Sequence, residues 1–244
     1  MKRTFADLHL RLNGKDSAAT QLILNKAEAL GYQLISVPCQ PEARMEDITK
    51  LKSVCNEAGM DFASRVDLRP RTQNELLSQL RKFRRKFEVI CVLCENKDVA
   101  RQAAKDRRVD LVSFPLLDFR SRFFDRAEAE LASSSLATLE VDIKPLLVLE
   151  GPARVRLLSC LRRETLVARD FHLPVVVSSG VSEMLLLRKP REMAALASLF
   201  DFEEDALLDA VSVNPLAIVR RNREKLDRGF VAPGIRVIKE GDDC

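Results

Sequence analysis

The sequence predicts an α/β fold in which about seven parallel strands form a TIM-barrel-like core with helices around it. Short apolar runs alternate with helical patterns along the chain, which is typical of parallel β/α architecture. Gly is scarce, at eight residues, and no G-x-G-x-x-G or G-x-x-x-x-G-K-[ST] loop favours an open nucleotide-binding sheet. A chain of 244 residues suits one barrel. We expect a single domain over 1–228 and an extended or loose C-terminal tail over 229–244.

The strands are predicted where short apolar runs are bounded by turn or helix patterns. Each is separated from the next by a helical stretch, so consecutive strands are expected to lie parallel. The seven predicted strands are Thr4–Leu10, Tyr32–Val37, Asp61–Leu68, Phe87–Leu93, Val109–Phe114, Leu136–Ile143 and Pro174–Ser178.

The helices are predicted from apolar stripes at helical spacing and from capping residues. Ser17 and Gly31 mark the start and the end of the first helix. Thr72-Gln-Asn-Glu75 is a capping box, in which the Thr hydroxyl and the Glu carboxylate satisfy free backbone donors reciprocally. Besides the helix opened by this box, the predicted helices are Ser17–Leu30, Pro41–Ala58, Asn96–Asp106, Phe124–Ser133, Pro152–Phe171, Pro190–Phe200, Glu203–Val211 and Pro215–Leu226.

Two of the six cysteines form a C-x-x-C sequence, Cys91-Val-Leu-Cys94. Such a pair can bind a metal ion or carry redox chemistry. Cys91 lies within the strand pattern Phe87–Leu93, however, and Cys94 comes directly after it. Strand residues three apart point to opposite faces. We therefore expect ordinary burial of both thiols.

The basic residues are informative through their placement, because the net charge is only +4. One cluster alone is typical of a solvated helix face, but five in a small chain indicate RNA or another polyanion as partner. With no Trp and one Tyr to stack on bases, the chain is suited to phosphate-backbone contacts with folded RNA. The clusters are Arg81-Lys-Phe-Arg-Arg-Lys86, Arg107-Arg108, Arg162-Arg163, Arg188-Lys-Pro-Arg191 and Arg220-Arg-Asn-Arg223.

No membrane association is predicted. The longest apolar runs, such as Glu88-Val-Ile-Cys-Val-Leu93, are too short to cross a bilayer. Met1-Lys-Arg-Thr4 leads into a strand pattern rather than a signal peptide, so a cytoplasmic location is expected.

Functional sites of such barrels form at the carboxyl ends of the strands. Each polar residue there could act on a substrate, or could fill the barrel mouth and bond to loop backbone. The candidates are Asp7, His9, Arg65, Asp67, Ser113, Asp142, Lys144, Ser178, Ser179 and Gly180. For Asp7, His9, Ser178, Ser179 and Gly180 we favour the structural role.

A metal-dependent phosphoesterase is the first enzyme hypothesis, because some of these enzymes begin with a strand ending Asp-Leu-His and a second His two places on. Here that place holds Arg11, a permanent cation. The other histidine, His172, precedes strand seven and therefore lies at the opposite end of the barrel from His9. A carboxylate-only Mg²⁺ site remains conceivable from Asp7, Asp67 and Asp142.

A Schiff-base aldolase is the second enzyme hypothesis. Lys144 follows strand six, where a lysine could attack a carbonyl if desolvation lowered its pKa. The same position also suits a lysine that contacts phosphate, so both roles stay open.

Four stretches, taken together, resemble the ribonuclease P protein component 3 family, a barrel-shaped subunit of the archaeal and eukaryotic ribonucleoprotein. The order and spacing agree over roughly residues 3–225, and the compact basic chain is similar to the archaeal members. The stretches are Phe5-Ala-Asp-Leu-His9, Val109-Asp-Leu-Val-Ser-Phe-Pro115, Leu173-Pro-Val-Val-Val-Ser-Ser-Gly180 with Arg188-Lys-Pro-Arg-Glu192, and Val211-Ser-Val-Asn-Pro215.

The resemblance implies a fold related to the metal-dependent phosphoesterase barrels but without their ligand set. It implies that the particle removes the 5′ leader of precursor tRNA and that its RNA, with Mg²⁺, is the catalyst. This chain would then have no catalytic residue and no metal or cofactor of its own. It would contact ribonuclease P RNA, pair with protein component 2 in a particle that also holds components 1 and 4, and meet precursor tRNA indirectly.

The RNA-binding residues implied by this resemblance are basic. Arg188, Lys189 and Arg191 match the family motif, and Arg107 and Arg108 match by position and charge. The remaining candidates, which match by composition or by place at the mouth, are Arg81, Lys82, Arg84, Arg85 and Lys144.

Overall fold

Seven parallel strands follow one another around a barrel in the order of the sequence. The structure, a computed structural model, describes residues 3–12, 17–115, 122–202, 204–227, 229–232 and 235–236. Each strand from β1 to β6 pairs in parallel with the next one, which confirms the predicted seven-stranded α/β barrel. The strands are β1 (Ala6–Asp7), β2 (Leu34–Cys39), β3 (Asp61–Leu68), β4 (Val89–Leu93), β5 (Leu111–Ser113), β6 (Thr138–Asp142) and β7 (Val175–Ser178).

Strand β1 is shorter than the predicted Thr4–Leu10 because the chain turns at Asp7. The Asp7 carboxylate accepts a hydrogen bond from the backbone N–H of His9, 3.0 Å away. A side chain that bonds to backbone two residues on makes a local turn, which ends the ladder.

The barrel is closed at its carboxyl end by hydrogen bonds between the loops after β7 and β1. Gly180 N donates to His9 O, and Arg11 N donates to Val181 O, each over 2.9 Å. This end, where the functional sites of such barrels form, is hereafter the mouth.

At the amino end a two-residue segment, Ala210–Val211, lies between the same two strands. Val177 N donates to Ala210 O over 2.9 Å, and Ala6 N donates to Val211 O over 3.0 Å. The segment therefore takes the place that an eighth strand would fill, although it has no strand pattern of its own.

Helices surround the barrel and bury their apolar stripes against the strands, forming the larger of two cores. Thr72, Asn96 and Asp125 cap three of them by accepting from the N–H three residues on. The helices are α1 (Ser17–Leu30), α2 (Met45–Glu57), α3 (Gln73–Phe83), α4 (Lys97–Lys105), α5 (Arg126–Ser133), α6 (Lys144–Val148), α7 (Gly151–Asp170), α8 (Pro190–Ala197), α9 (Glu204–Asp209) and α10 (Val213–Leu226). Short 3₁₀ turns lie at Met184–Leu186 and Ser198–Phe200.

The predicted capping box of α3 is half correct. Thr72 Oγ1 accepts from Glu75 N as expected, at 3.2 Å. The Glu75 carboxylate accepts instead from Arg71 N, at 2.8 Å, one residue before the predicted donor. Both bonds still satisfy free donors at the start of the helix.

The barrel interior is a separate, smaller core that α10 covers at the amino end. Ile218 and Val219 of α10 are buried among the inward-facing strand residues. Cys91 belongs to this inner core, whereas Cys94 belongs to the outer one. The two thiols therefore point to opposite faces, as the strand period predicts.

The amino end of the barrel is held by an ion cluster. Arg223 binds Asp61 and Glu88, with its Nη1 and Nε each 2.6 Å from a carboxylate oxygen. Asp110 accepts from Arg221, at 2.9 Å, and is also bonded to Arg84. Arg221 and Arg223 of α10, and Arg84 beside them, are thereby fixed in place at this end of the barrel.

The described part of the tail is extended. After α10, β8 (Phe230–Ala232) and β9 (Ile235–Arg236) form an antiparallel pair. An extended tail is one of the two alternatives that the sequence predicts. The domain boundary at 228 stays a prediction. Among the described residues, no helix combines the length and hydropathy that a bilayer span needs.

The charged cluster at the barrel mouth

Three strands bring charged side chains together beneath the mouth. Arg65 and Asp67 belong to β3, Glu140 and Asp142 belong to β6, and His9 follows β1. All but Asp67 are buried.

Arg65 is the centre of this cluster and is only 1% exposed. Its Nη1 and Nη2 donate to the two carboxylate oxygens of Glu140 over 2.6 and 2.7 Å, and its Nε donates to Asp67 over 2.6 Å. Nη1 also donates to Leu8 O. Burial alone would lower the pKa of Arg65, but the Asp67 and Glu140 carboxylates raise that pKa well above its usual value. Arg65 is thus a permanent, fully bonded cation.

His9 lies beside this pair. Its Nδ1 is 2.9 Å from Asp142 Oδ1, and its Nε2 accepts from Arg11 Nε over 3.0 Å. Since a guanidinium can only donate, this network assigns the ring proton to Nδ1. Burial and Arg65 lower the pKa of His9, whereas Asp142 and Glu140 raise it, and the net direction is upward.

The cluster contains a candidate ligand set that does not fit a metal ion. His9, Glu140 and Asp142 offer ligand atoms within 4.8 Å of one another. Arg65, however, already occupies both oxygens of Glu140, and Arg11 directs its Nε–H at the free nitrogen of His9. A divalent ion placed there would lie against a buried guanidinium, whose charge repels it. The charge that a metal would supply is supplied by Arg65.

Asp7 connects the loops after β1 and β7 through hydrogen bonds. Its Oδ1 accepts from His9 N and from Ser179 N, each over 3.0 Å, while Oδ2 has no hydrogen-bond partner among the described residues. Burial raises the pKa of the Asp7 carboxyl, against the lowering effect of its bonds to Ser179 and His9. Ser179 Oγ donates in turn to His9 O over 3.2 Å.

Gly180 is required by the same arrangement. It has φ +64°, and a Cβ at this position would lie 2.8 Å from Asp142 Cγ. Ser178, two residues earlier at the end of β7, donates to Glu140 Oε1 over 2.7 Å. The Ser178-Ser-Gly180 stretch therefore positions the carboxylates around Arg65 and His9.

Lys144 does not have the environment of a Schiff-base lysine. Its Nζ lies 3.0 Å from Glu183 Oε2 and 3.2 Å from Ser182 Oγ, and the side chain is 29% exposed. A hydrated, paired ammonium is not the desolvated amine that carbonyl attack needs.

The basic residues near α8 remain partly available. Arg188 Nη1 donates to Leu185 O and Leu187 O, and Lys189 and Arg191 are exposed at the start of α8. Arg191 also lies over the Phe5 ring, 5.9 Å from its centroid.

The other predicted clusters separate into free and bonded cations. Arg81, Lys82, Arg85 and Arg107 are exposed. Arg84 donates to Asp110 and to the carbonyls of Arg108, Phe87 and Glu88, so its guanidinium is committed to the barrel end. Arg108 binds Asp106 in a bidentate manner, over 2.9 and 2.6 Å.

Glu140 is the site residue that sequence reasoning missed. The available clue was a lone Glu in the apolar run Leu139–Val141 together with a lone Arg at the centre of β3. Opposite charges in buried strands have to form an ion pair, because an unpaired buried charge is costly. Arg122 and Glu164 form a second buried pair of this kind.

The fold and the mouth define a parallel β/α barrel in which arginines bond two of the three candidate metal ligands, Glu140 and His9. A family model described as RNase P subunit p30 matches residues 4–227. The chain is 36% identical to ribonuclease P protein component 3 of Methanosarcina barkeri over 177 residues, which are 72% of this chain and 73% of that one. It is 28% identical to component 3 of Methanosarcina mazei, with 99% and 98% covered.

The fold is also that of a chain in a cryo-EM structure of archaeal ribonuclease P with mature tRNA. The TM-score is 0.85 at 21% identity, and 98% of this chain and 100% of that chain are covered. The chain belongs to the RNase P subunit p30 family. Its predicted role as a protein subunit of ribonuclease P is thereby confirmed.

Proposed function

We propose that this chain supports tRNA processing by ribonuclease P without catalytic residues of its own. The Arg65 cation at the centre of the mouth is the observation that carries the proposal. It uses the carboxylates that a hydrolytic metal centre would need. In this account the catalyst is the ribonuclease P RNA with its Mg²⁺ ions, and the particle removes the 5′ leader of precursor tRNA.

The chain contributes affinity through contacts between exposed cations and the RNA backbone. Such contacts release counterions and position the protein without reading the sequence. The proposed contacts are the exposed residues Lys189, Arg191, Arg107, Arg81, Lys82 and Arg85, together with the half-buried Arg188. Arg84 is left out because protein acceptors occupy it, and Arg108 and Lys144 contribute less because each is paired with a carboxylate.

We further propose that the chain pairs with protein component 2 in a particle that includes components 1 and 4, and that it meets precursor tRNA indirectly. The family membership supports this assignment. The cytoplasmic location stays a prediction from the sequence.

Reconstitution tests the proposal. Cognate ribonuclease P RNA and its other proteins are assayed for precursor tRNA cleavage with and without this chain, at limiting Mg²⁺. We expect the chain to raise the cleavage rate and to show no cleavage without RNA. An unchanged rate, or cleavage by the chain after nuclease treatment has removed RNA, would contradict the proposal.

A further inference from the structure

Two cavities meet at the mouth and share one ridge. The first, of about 500 Å³, opens above the charged cluster and is of the size typical of small-molecule sites. The second, of about 780 Å³, lies between the ends of β2 and β3 and the helix α3. Arg11, Asp67 and Arg69 line both cavities and form the ridge between them, and the Asp67 carboxylate is bonded to Arg65.

The ridge carries cations that the protein itself leaves available. Arg69 is exposed and makes no hydrogen bond or ion pair with the residues that the structure describes. Arg11 donates its Nε–H to His9, and its two terminal nitrogens make no hydrogen bond with the described residues. The terminal nitrogens of Arg11 and the guanidinium of Arg69, on one ridge, suit a phosphate, which they can bind in a bidentate manner.

The first cavity also has an apolar wall. It is formed by Leu93, Pro115, Pro145, Val148 and Leu149, and Val148 is 49% exposed. Ser113 also lines the cavity, and its hydroxyl makes no hydrogen bond within the described part of the chain. An apolar surface beside such a hydroxyl and a phosphate site matches the three parts of a nucleotide.

We infer that the mouth binds one nucleotide unit, with its base against the apolar wall and its phosphate on Arg11 and Arg69. The unit is presented by single-stranded RNA, whose neighbouring nucleotide then lies in the second cavity across the ridge. This adds a pocket to the backbone contacts of the proposed function and depends on that function only for the source of the strand. A free nucleotide offers the same chemistry, so the experiment separates the two sources.

Binding to the full-length chain alone tests the inference. The probes are a short oligouridylate, uridine 5′-monophosphate and inorganic phosphate, each titrated calorimetrically into wild type and variants. We expect the oligonucleotide to bind more tightly than the mononucleotide, and the mononucleotide more tightly than phosphate. Equal affinity of the first two would assign the pocket to free nucleotides and overturn the strand proposal.

Two variants separate the phosphate site from the base site. Arg69→Glu should weaken the binding of the oligonucleotide and of the mononucleotide about tenfold or more, because a charge-assisted contact becomes a repulsive one. Val148→Gln should weaken the binding of both nucleotide probes by a few fold and leave phosphate binding unchanged. The matched control is Arg163→Glu, an equal charge change at an exposed position of α7.

The outcomes are distinguishable from those of reconstitution. If Arg69→Glu binds the nucleotide probes as wild type does, or if mononucleotide and phosphate bind equally, the pocket assignment is wrong even where the chain still supports cleavage. Circular dichroism on each variant verifies folding, which is expected because Arg69 and Val148 are exposed.

Discussion

Two buried aspartates at opposite ends of the barrel show how differently the ends are built. Asp110, at the amino end, accepts from Arg84, Arg221, Asn222 and Ile90 N. Asp7, at the mouth, accepts from two backbone N–H groups, and its Oδ2 has no partner among the described residues. Both are 1% exposed. Both oxygens of Asp110 are bonded, whereas Asp7 at the mouth keeps one oxygen unbonded within the described part of the chain.

The same contrast holds for the arginines. At the amino end, Arg84, Arg221 and Arg223 are bonded to Asp61, Glu88 and Asp110. At the mouth, Arg65 is equally committed, but Arg11 and Arg69 above it are available. Pairing with buried carboxylates, rather than residue type, therefore distinguishes the committed arginines from the available ones.

Arg65→Met gives the largest expected effect, because it leaves Glu140 buried without its cation. We expect a loss of about 3–5 kcal/mol in the free energy of unfolding, measured by urea denaturation. The double variant Arg65→Met/Glu140→Gln should recover part of the loss, since it removes the unpaired charge. A single variant within about 1 kcal/mol of wild type would show that the pair is not a structural centre.

Asp110→Asn tests the lock at the amino end. The amide directs N–H groups toward donors that have lost their acceptor, so we expect a loss of about 2–3 kcal/mol in unfolding free energy. A variant as stable as wild type would mean that the ion cluster at the amino end of the barrel is dispensable.

Asp7→Asn should differ sharply from Asp110→Asn. The amide oxygen can keep both N–H bonds while the amide nitrogen takes the unpartnered place of Oδ2, so the expected loss at pH 7 is within about 1 kcal/mol. The pKa of Asp7 is raised in the folded state, so its contribution is fully present below the unfolded pKa, near 3.8, and is lost as pH rises through the folded pKa. Unfolding curves across pH should therefore show a declining contribution in wild type that Asp7→Asn lacks.

Reversing two charges at α8 is expected to spare the fold. Arg188→Glu/Arg191→Glu should weaken RNA binding and reduce the slope of log affinity against log salt by about 2, one for each lost phosphate contact. Unfolding free energy should change by less than about 1 kcal/mol. Arg156→Glu/Arg163→Glu on α7, both exposed, is the charge-matched control, and an equal change in its slope would remove the assignment.

The strands were predictable because buried apolar runs such as Val89–Leu93 alternate with capped helices. The closure of the barrel was not, since Ala210–Val211 lies there only because β1 and β7 leave a gap. Arg84 was expected among the RNA-binding cations, and its surroundings in the fold were not predictable for a related reason. The helix α3 ends beside Asp110, and the Arg84 side chain is turned inward.

The mouth was partly predictable. Asp7, His9 and Ser178-Ser-Gly180 were located by their place at strand ends, and Arg11 already argued against a second metal ligand. Glu140 was missed because its partner lies three strands away in the sheet, and sequence alone does not align inward-facing residues of distant strands.

Titration of the purified, RNA-free chain with Mn²⁺, combined with a nuclease assay, tests most directly whether a guanidinium has replaced the metal. The account predicts no one-to-one site at the mouth and no cleavage of precursor tRNA by the chain alone. A stoichiometric ion that disappears in His9→Ala, together with hydrolysis that requires it, would contradict the account.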